Sequence, residues 1–452
     1  MVDRLLLLIL AGILLPYGLS HAESLTAERQ ESLRVEIREN FFVPDPLPPL
    51  DAVTQRRFEP APGVAAEAVT YATQFGTRVP AILYLPREIG RRPSISRGEP
   101  QPKPKTAAGR IPALIIVNGH GGDKYSWYSY YSGILYARAG AAVLTYDQAG
   151  EGERNAERKS GTRTHDRLKG DDVLARHLAG LMITDVMQAV SYLASRPDVD
   201  ARRIGAAGYS MGSFVLALTG AVEPRLRACV LAGGGNLDGV DGYWDSSKPM
   251  CQALPYRSLR FLRDRGAMIY ALHASRGPTL IYNGLADSVV AIDKHGEPFF
   301  ADLRQRTIEL HGEADGVFDA GFVAQASHRP YFVTRPVALW LEQHLNMPNW
   351  TAESLAAMPT VHIAQWAQKY GVPMDKLYAT EDREGGTPAL GNDIPGFQRE
   401  DLSVFAPEQW NSHKQELIFE TWVDAARLAG GSPMPRLSDS SDLSDQSAVR
   451  RP

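Results

Sequence analysis

Short apolar runs alternate with longer stretches of helical periodicity through the middle of the chain. Residues 65–72 and 78–85 read as two strands with Gly76 in the turn between them. Residues 111–117, 142–146, 203–207, 228–232, 279–282 and 307–310 read as further strands. A helix falls within 127–140. Leu174, Leu178, Met182, Val186, Ala189 and Leu193 recur at helical spacing and share one face of a long helix. The apolar run 213–218 continues into another helix, and a closing helix is predicted over about 331–345. Alternation of this kind predicts an α/β protein, a mostly parallel sheet with helices on both faces.

The flanks follow a different pattern. Residues 1–22 hold Arg4, an apolar run over 5–15, and Ser20 and Ala22 at the two positions a signal peptidase reads. The run is short for a bilayer span, so an exported, periplasmic or extracellular protein without a stable membrane anchor is expected; a permanent anchor is the alternative. Residues 23–60 are polar and then proline-rich, which suggests an extended arm on the main domain at 61–345. Residues 90–109 carry almost no apolar side chains and read as a solvated loop. Between about 235 and 277 lies an insertion with Tyr243, Trp244, Tyr256 and a charged stretch at 260–265, either a wall of the site or a packing elaboration. Residues 346–430 look mainly helical, notably 361–370 and 407–428, and 431–452 are rich in Ser, Asp and Pro and are expected to be disordered.

Composition narrows the function only by exclusion. A chain of 452 residues with 44% hydrophobic and 22% charged positions can bury one large core. A net charge of -4 gives no reason to expect nucleic acid or an anionic membrane as partner. Cys229 and Cys251 are the two cysteines; in an oxidising compartment they could form a disulfide, and otherwise Cys229 is a small buried hydrophobe in a strand.

The chemistry centres on Gly208-Tyr209-Ser210-Met211-Gly212, placed between a strand and a helix. A serine flanked by glycines on such a tight turn projects from the carboxyl edge of a parallel sheet, where an acyl group can reach it. Acyl transfer then needs a base, an acid to orient it, and donors for the developing oxyanion. Asp287 follows the strand at 279–282 and fits the acid, with Asp293, Glu313 and Asp315 as less well placed rivals. His328 stands just ahead of the closing helix and fits the base; His311 is the rival, since His295 and His344 fall inside helical stretches. Asn118-Gly119-His120-Gly121-Gly122-Asp123 follows the 111–117 strand. The oxyanion donors are expected to be the amide of Met211 and that of Gly121 or Gly122, with His120 bracing the loop.

Asp147 to Arg154 form a second glycine-rich loop at the same sheet edge, read as a salt-bridged support rather than as catalytic. Tyr125 and Trp127 beside the oxyanion loop, and Trp244 in the insertion, are candidates to stack on a substrate ring. Neither phosphate-binding fingerprint is present, no His/Cys/carboxylate cluster shows metal spacing, and no cofactor is expected.

The segments Gly119 to Gly122, Tyr146 to Arg154, Gly208 to Gly212, Gly284 to Asp287 and Ser327-His328 together resemble the α/β-hydrolase superfamily. Within it the likeness is to acetyl xylan esterase-like and dienelactone hydrolase-like bacterial proteins, with prolyl oligopeptidase catalytic domains as more distant kin. The resemblance covers about 65–345. It implies the α/β-hydrolase fold and a triad of Ser210, Asp287 and His328; dienelactone hydrolases use a cysteine nucleophile, so Ser210 favours an esterase. The expectation is a serine esterase acting on a small-molecule or polysaccharide ester. A peptidase using the same triad and a non-catalytic binding protein on the same fold are the alternatives, and oligomeric state is left open.

Overall fold

The structure is a computed structural model and describes residues 24–87, 109–168, 172–239, 242–247, 250–313, 316–358 and 386–431. Within them, β1 (Val53–Ala61), β2 (Val64–Ala72) and β3 (Arg78–Pro86) form an antiparallel meander. β4 (Ile111–Val117), β5 (Ala142–Tyr146), β6 (Val199–Tyr209), β7 (Leu226–Ala232), β8 (Thr279–Gly284) and β9 (Phe318–Val323) run parallel to one another, and β3 joins them through β5. The order across the sheet is β1-β2-β3-β5-β4-β6-β7-β8-β9. A strand covered on both faces reads as a continuous apolar run rather than an alternating one. β4 is the clearest instance: every residue is buried, with Ala113, Ile115 and Val117 entering one core and Leu114 and Ile116 the other.

The helices are α1 (Ala27–Asn40), α2 (Trp127–Arg138), α3 (Asp172–Ser195), α4 (Met211–Val222), α5 (Tyr243–Ser247), α6 (Met250–Ser258), α7 (Arg265–Ala274), α8 (Ile292–His311), α9 (Arg335–Leu345), α10 (Ala352–Ala356), α11 (Arg399–Leu402), α12 (Pro407–Leu417) and α13 (Phe419–Ala429). α1, α3, α4, α7 and α8 contribute to the core on one face, while α2 and α9 contribute to the other. α3 is apolar around most of its circumference, and its most hydrophobic window is 83% buried, as befits a helix enclosed by protein.

Three segments depart from the sequence reading. The arm contains α1, capped by Thr26 and docked through Leu33 and Ile37; Ala27, Leu33, Val35 and Ile37 are the apolar residues in its fourteen positions, too few to register as a stripe. The arm also yields β1, an edge strand whose Thr54, Gln55, Arg57 and Glu59 are exposed to solvent, so it shows no hydrophobic alternation. Residues 307–310, read as a strand, form the last turn of α8. Phe300, Leu303 and Thr307 face the core at helical spacing, and Gly312 in the left-handed region closes the helix with its N–H on Ile308 O. The strand at this place in the order is β9, whose Asp319 and Gly321 weaken its signal. The segment expected as a signal peptide at 1–22, most of the loop at 90–109, the helix expected over 361–370 and nearly all of the tail at 431–452 lie outside the described residues.

The C-terminal region packs on both cores. Trp422 of α13 enters the first, and its indole N–H donates to Gln74 Oε1 at 3.3 Å; Trp410 and Leu417 of α12 enter the second. The helix bearing the candidate serine is anchored from beneath by His273 of α7. Its Nε2–H donates to Ala217 O, its Nδ1 accepts from the Thr279 hydroxyl at 2.8 Å, and burial lowers its pKa to about 4. A histidine held neutral when folded is at a disadvantage once solution protonates the unfolded chain. The stability it contributes is therefore intact above about pH 6.5 and is lost as pH falls toward about 4, by about 3 kcal/mol over that span. Urea unfolding from pH 7 to 4 should show the stability advantage of wild type over His273→Gln shrinking by about that amount.

Candidate active site

β6 ends at Tyr209 and α4 begins at Met211, so Ser210 alone makes the turn. Its backbone stands at φ 56 and ψ -116, a conformation a serine adopts only when its surroundings enforce it. The enforcing contacts are those of the flanking glycines. A Cβ on Gly212 would lie 2.2 Å from Val117 O, and one on Gly208 would lie 2.4 Å from Gly212 O. Ser210 N–H donates to Ala232 O at 2.9 Å, and the Ser213 hydroxyl donates to the same oxygen at 2.7 Å, which ties the turn to the end of β7.

Asp287 and His328 come from two loops joined by backbone hydrogen bonds. Leu285 N–H donates to Val323 O at 3.0 Å and Ala286 N–H donates to Ala326 O at 2.9 Å. Asp287 is fully buried; its Oδ1 accepts the Val289 N–H at 3.0 Å and its Oδ2 lies 2.6 Å from His328 Nδ1. A carboxylate that takes its second bond from a ring N–H fixes the tautomer, leaving Nε2 as the basic nitrogen. The imidazole packs over Gly233, where a Cβ would come within 2.9 Å of the ring, and against the Tyr209 ring at 4.9 Å. The chain neighbour of Ser210 thereby carries the histidine. Among the described residues no hydrogen bond joins Ser210 Oγ to the ring; contacts of this kind tighten when substrate binds. Of the rivals, His311 closes α8 and Asp293 lies in its first turn. Glu313 follows α8, and Asp315 is outside the described residues.

The loop after β4 is held at several points. Asn118 donates to Tyr146 O at 2.8 Å and accepts from the Ser129 hydroxyl at 2.5 Å, and Gly119 N–H donates to Tyr128 Oη at 3.0 Å. The Gly122 N–H closes a turn onto Gly119 O at 2.8 Å, so Gly122 is committed elsewhere and does not fit the expected oxyanion donor. Gly121, at φ 67, packs against Gly161 and Arg163. Met211 opens α4, where the first N–H groups of a helix have no intrahelical acceptor.

Lys124, which the sequence reading did not single out, is fully buried between Asp147 and Glu153, with Nζ 2.8 Å from Glu153 Oε2 and in contact with Asp147 Oδ2. Burial works against its charge, but the two carboxylates outweigh burial and raise its pKa. Burial raises the Asp147 carboxyl while the Lys124 ammonium pulls it down. Glu153 further accepts the N–H groups of Val404 and Phe405 at 2.8 and 3.1 Å, and Arg154 pairs with Asp185 of α3 at 2.5 Å. The loop from Asp147 to Arg154 is thus a salt-bridged support.

The expected aromatic platform is core. Tyr125, Trp127 and Trp244 are 1%, 8% and 1% exposed. Lys124 and Arg399 cover the Tyr125 ring, Trp127 meets Tyr128 edge-on, and Trp244 stacks on Phe214 at 4.9 Å while its N–H donates to Asn236 O. The two cysteines are not bonded to each other. Cys229 is buried in β7, whereas Cys251 on α6 has its thiol 3.1 Å from Asp166 Oδ1. His120 Nε2 reaches the same carboxylate and the same sulfur, and His165 lies beside them. The absence of metal spacing expected from the sequence gives way to a four-donor cluster drawn from three distant segments, which linear spacing cannot reveal.

Residues 171–347 match the prolyl oligopeptidase family and residues 101–232 the acetyl xylan esterase (AXE1) family. The protein named "Putative hydrolase YtaP" of Bacillus subtilis (strain 168) is 32% identical over 139 residues, 28% of this chain and 45% of its own, so the match spans under half the length of that relative. Among solved structures, methylesterase BT1017 superposes with a TM-score of 0.54 at 17% identity, covering 88% of this chain and 73% of that one. An acetyl xylan esterase from Paenibacillus sp. R4 gives 0.48 at 17% identity over 72% and 96% of the two chains. At such identity the first of these likenesses speaks to the fold.

Removing the ammonium at position 124 strands two buried carboxylates. Lys124→Met should lower unfolding free energy by about 3–5 kcal/mol, and adding Asp147→Asn and Glu153→Gln should recover part of that loss, as read by urea titration of the single and triple variants.

Proposed function

The chain is a member of the α/β-hydrolase superfamily, and from that premise we propose that it is a serine hydrolase that cleaves carboxylic esters through an acyl-enzyme. The observation that carries the reading is the Asp287–His328 pair, held at 2.6 Å and packed over Gly233 and Tyr209 beside the strained turn at Ser210.

In this reading Ser210 Oγ attacks the ester carbonyl while His328 Nε2 takes its proton. Asp287 holds the ring in the tautomer that can accept it and stabilises the imidazolium that forms. The Met211 N–H at the start of α4 faces the developing oxyanion, where the positive end of the helix adds to it. The second donor is drawn from the glycine-rich loop after β4, in which the Gly122 N–H already closes a turn onto Gly119 O. The imidazolium returns its proton to the leaving alcohol, and water, activated by the same nitrogen, releases the acid. The acetyl xylan esterase match over 101–232 supports a carbohydrate ester as the substrate class, and the segment at 1–22 supports export.

The prolyl oligopeptidase match over 171–347 favours a second reading, amide hydrolysis by the same three residues. The two separate on one plate, with p-nitrophenyl acetate and acetylated xylan on one side and a proline p-nitroanilide on the other. The ester reading expects turnover of the esters alone. Ser210→Ala should lower kcat by four or more orders of magnitude and Asp287→Asn by about four. Ester turnover that survives in Ser210→Ala would remove the nucleophile and with it the mechanism. Turnover of neither substrate class by the folded wild type would favour a binding role.

A further inference from the structure

The acyl transfer described above uses none of the four groups gathered at His120, His165, Asp166 and Cys251. Their donor atoms all lie within 4.8 Å of one another. His120 Nε2 is 3.2 Å from Asp166 Oδ1 and 3.2 Å from Cys251 Sγ; Asp166 Oδ1 is 3.1 Å from that sulfur and 3.6 Å from His165 Nε2. A tetrahedral ion with bonds of about 2.0–2.3 Å sets its ligands about 3.3–3.8 Å apart. Four of the six separations, at 3.1–3.6 Å, therefore stand close to the edges that such an ion imposes, and the two others, from His165 to His120 and to Cys251, fall within 4.8 Å.

His165 supplies an independent observation. Its Nδ1 lies 3.1 Å from Ala149 O, and a carbonyl can only accept, so the ring proton is on Nδ1 and Nε2 carries a bare lone pair. The side chain is fully buried, and Nε2 has no hydrogen-bond partner among the described residues. An internal hydrogen-bond network does not account for it. The one thiol proton of Cys251 goes to Asp166, and a single ring proton on His120 serves Asp166 or the sulfur. Nothing remains for His165 Nε2 to accept. An imidazole fixed through one nitrogen by a backbone carbonyl, with the other bare, 3.6 Å from a carboxylate oxygen and within 4.8 Å of a thiol, is the usual arrangement of a metal ligand and its support. The other ring nitrogen of His120 faces the Gln252 amide at 3.4 Å, which can supply the matching acceptor by turning its oxygen inward.

We propose that His120, His165, Asp166 and Cys251 bind one divalent ion of the zinc class. A thiolate with two imidazoles selects such an ion over magnesium or calcium, which prefer oxygen ligands alone. On binding, the Sγ–H bond of Cys251 breaks, its proton leaves to solvent, and the sulfur lone pair bonds the metal. Four protein ligands close the coordination sphere, so the ion holds structure rather than polarising the ester. It joins the loop after β4 to the short helical turn at Thr164–Arg167 and to α6 of the insertion. The proposal does not depend on the ester-cleaving reading.

The test uses the full chain, stripped with a chelator and titrated with cobalt(II). One equivalent should produce a thiolate-to-cobalt charge-transfer absorption with the visible bands of a tetrahedral site, and zinc should displace it. Cys251→Ser should lose the charge-transfer band while Cys229→Ser keeps it, and zinc should raise the melting temperature of wild type by a few degrees. No charge-transfer band in folded wild type at several equivalents of cobalt would overturn the proposal, as would a band that survives Cys251→Ser and vanishes in Cys229→Ser. If Cys251→Ser does not fold, the wild-type titration and the Cys229→Ser variant still decide the question.

Discussion

An ammonium group without access to solvent governs how the carboxyl edge of the sheet is built. Lys124 Nζ cannot be left unpaired at that depth, since an isolated buried charge costs several kcal/mol even after the protein relaxes. Two carboxylates from one loop meet it, and each is then obliged to satisfy its remaining lone pairs. Asp147 does so with the N–H groups of Lys124 and Glu153 at 3.1 and 2.8 Å, and Glu153 with those of Val404 and Phe405. The next residue, Arg154, carries the arrangement into α3 through Asp185. One positive charge thus makes the loop after β4, the loop after β5, the central helix and the C-terminal region depend on one another. Removing the backbone at Val404 and Phe405 would unseat Glu153 and through it Lys124.

The serine turn rests on a different restraint, steric rather than electrostatic. Gly208 and Gly212 allow α4 to begin against the carbonyls at the end of β4, and that proximity sets Ser210 in its unusual backbone conformation. Strain of this kind persists because β6, β7 and α4 are all fixed around it, with His273 gripping the helix from the opposite side. The loops that carry Asp287 and His328 are joined to each other by backbone bonds as well as by their side chains. The geometry at Asp287 and His328 therefore has main-chain pairing beneath it.

What could be read in the sequence divides along the same lines. β4, β5 and the strand into Ser210 were legible because strands buried on both faces are unbroken apolar runs, and Ser210 and Asp287 stand at the ends of such runs, whereas His328 was placed by its position just ahead of the closing helix. β1 and β9 were not, because edge strands keep half their residues in water and lose the pattern. Residues 307–310 misled because β-branched and apolar neighbours fit either period, and only the spacing from Phe300 through Leu303 shows the helix. The aromatic run beside the oxyanion loop looked like a binding platform because aromatic residues serve cores and ligands alike. Tyr130 meeting Phe397 at 4.3 Å and Tyr131 donating to Pro388 O show that the C-terminal region is what covers them. Lys124 and the group around Cys251 left no signal, since their partners are distant in sequence. A lysine directly following a glycine-rich loop, with Asp147 and Glu153 in a second such loop, was the nearest available hint.

These features converge on the segment from Asn118 to Lys124. Asn118 is fixed by Tyr146 and Ser129, Gly119 by Tyr128, His120 by Asp166 and Cys251, Gly122 by its own turn and Lys124 by two carboxylates. Those five of the seven residues are therefore held, four of them by other parts of the chain, and the backbone between them has little freedom. Donors of an oxyanion site are effective to the degree that they need not reorganise when charge develops. A loop rich in glycine would by itself be too mobile for that purpose, because glycine loses the most conformational entropy on ordering. The side chains interleaved with the glycines supply the missing rigidity. The buried charges and the cluster around Cys251 hold the backbone of this segment still from a distance, which is the condition the proposed acyl transfer sets on it.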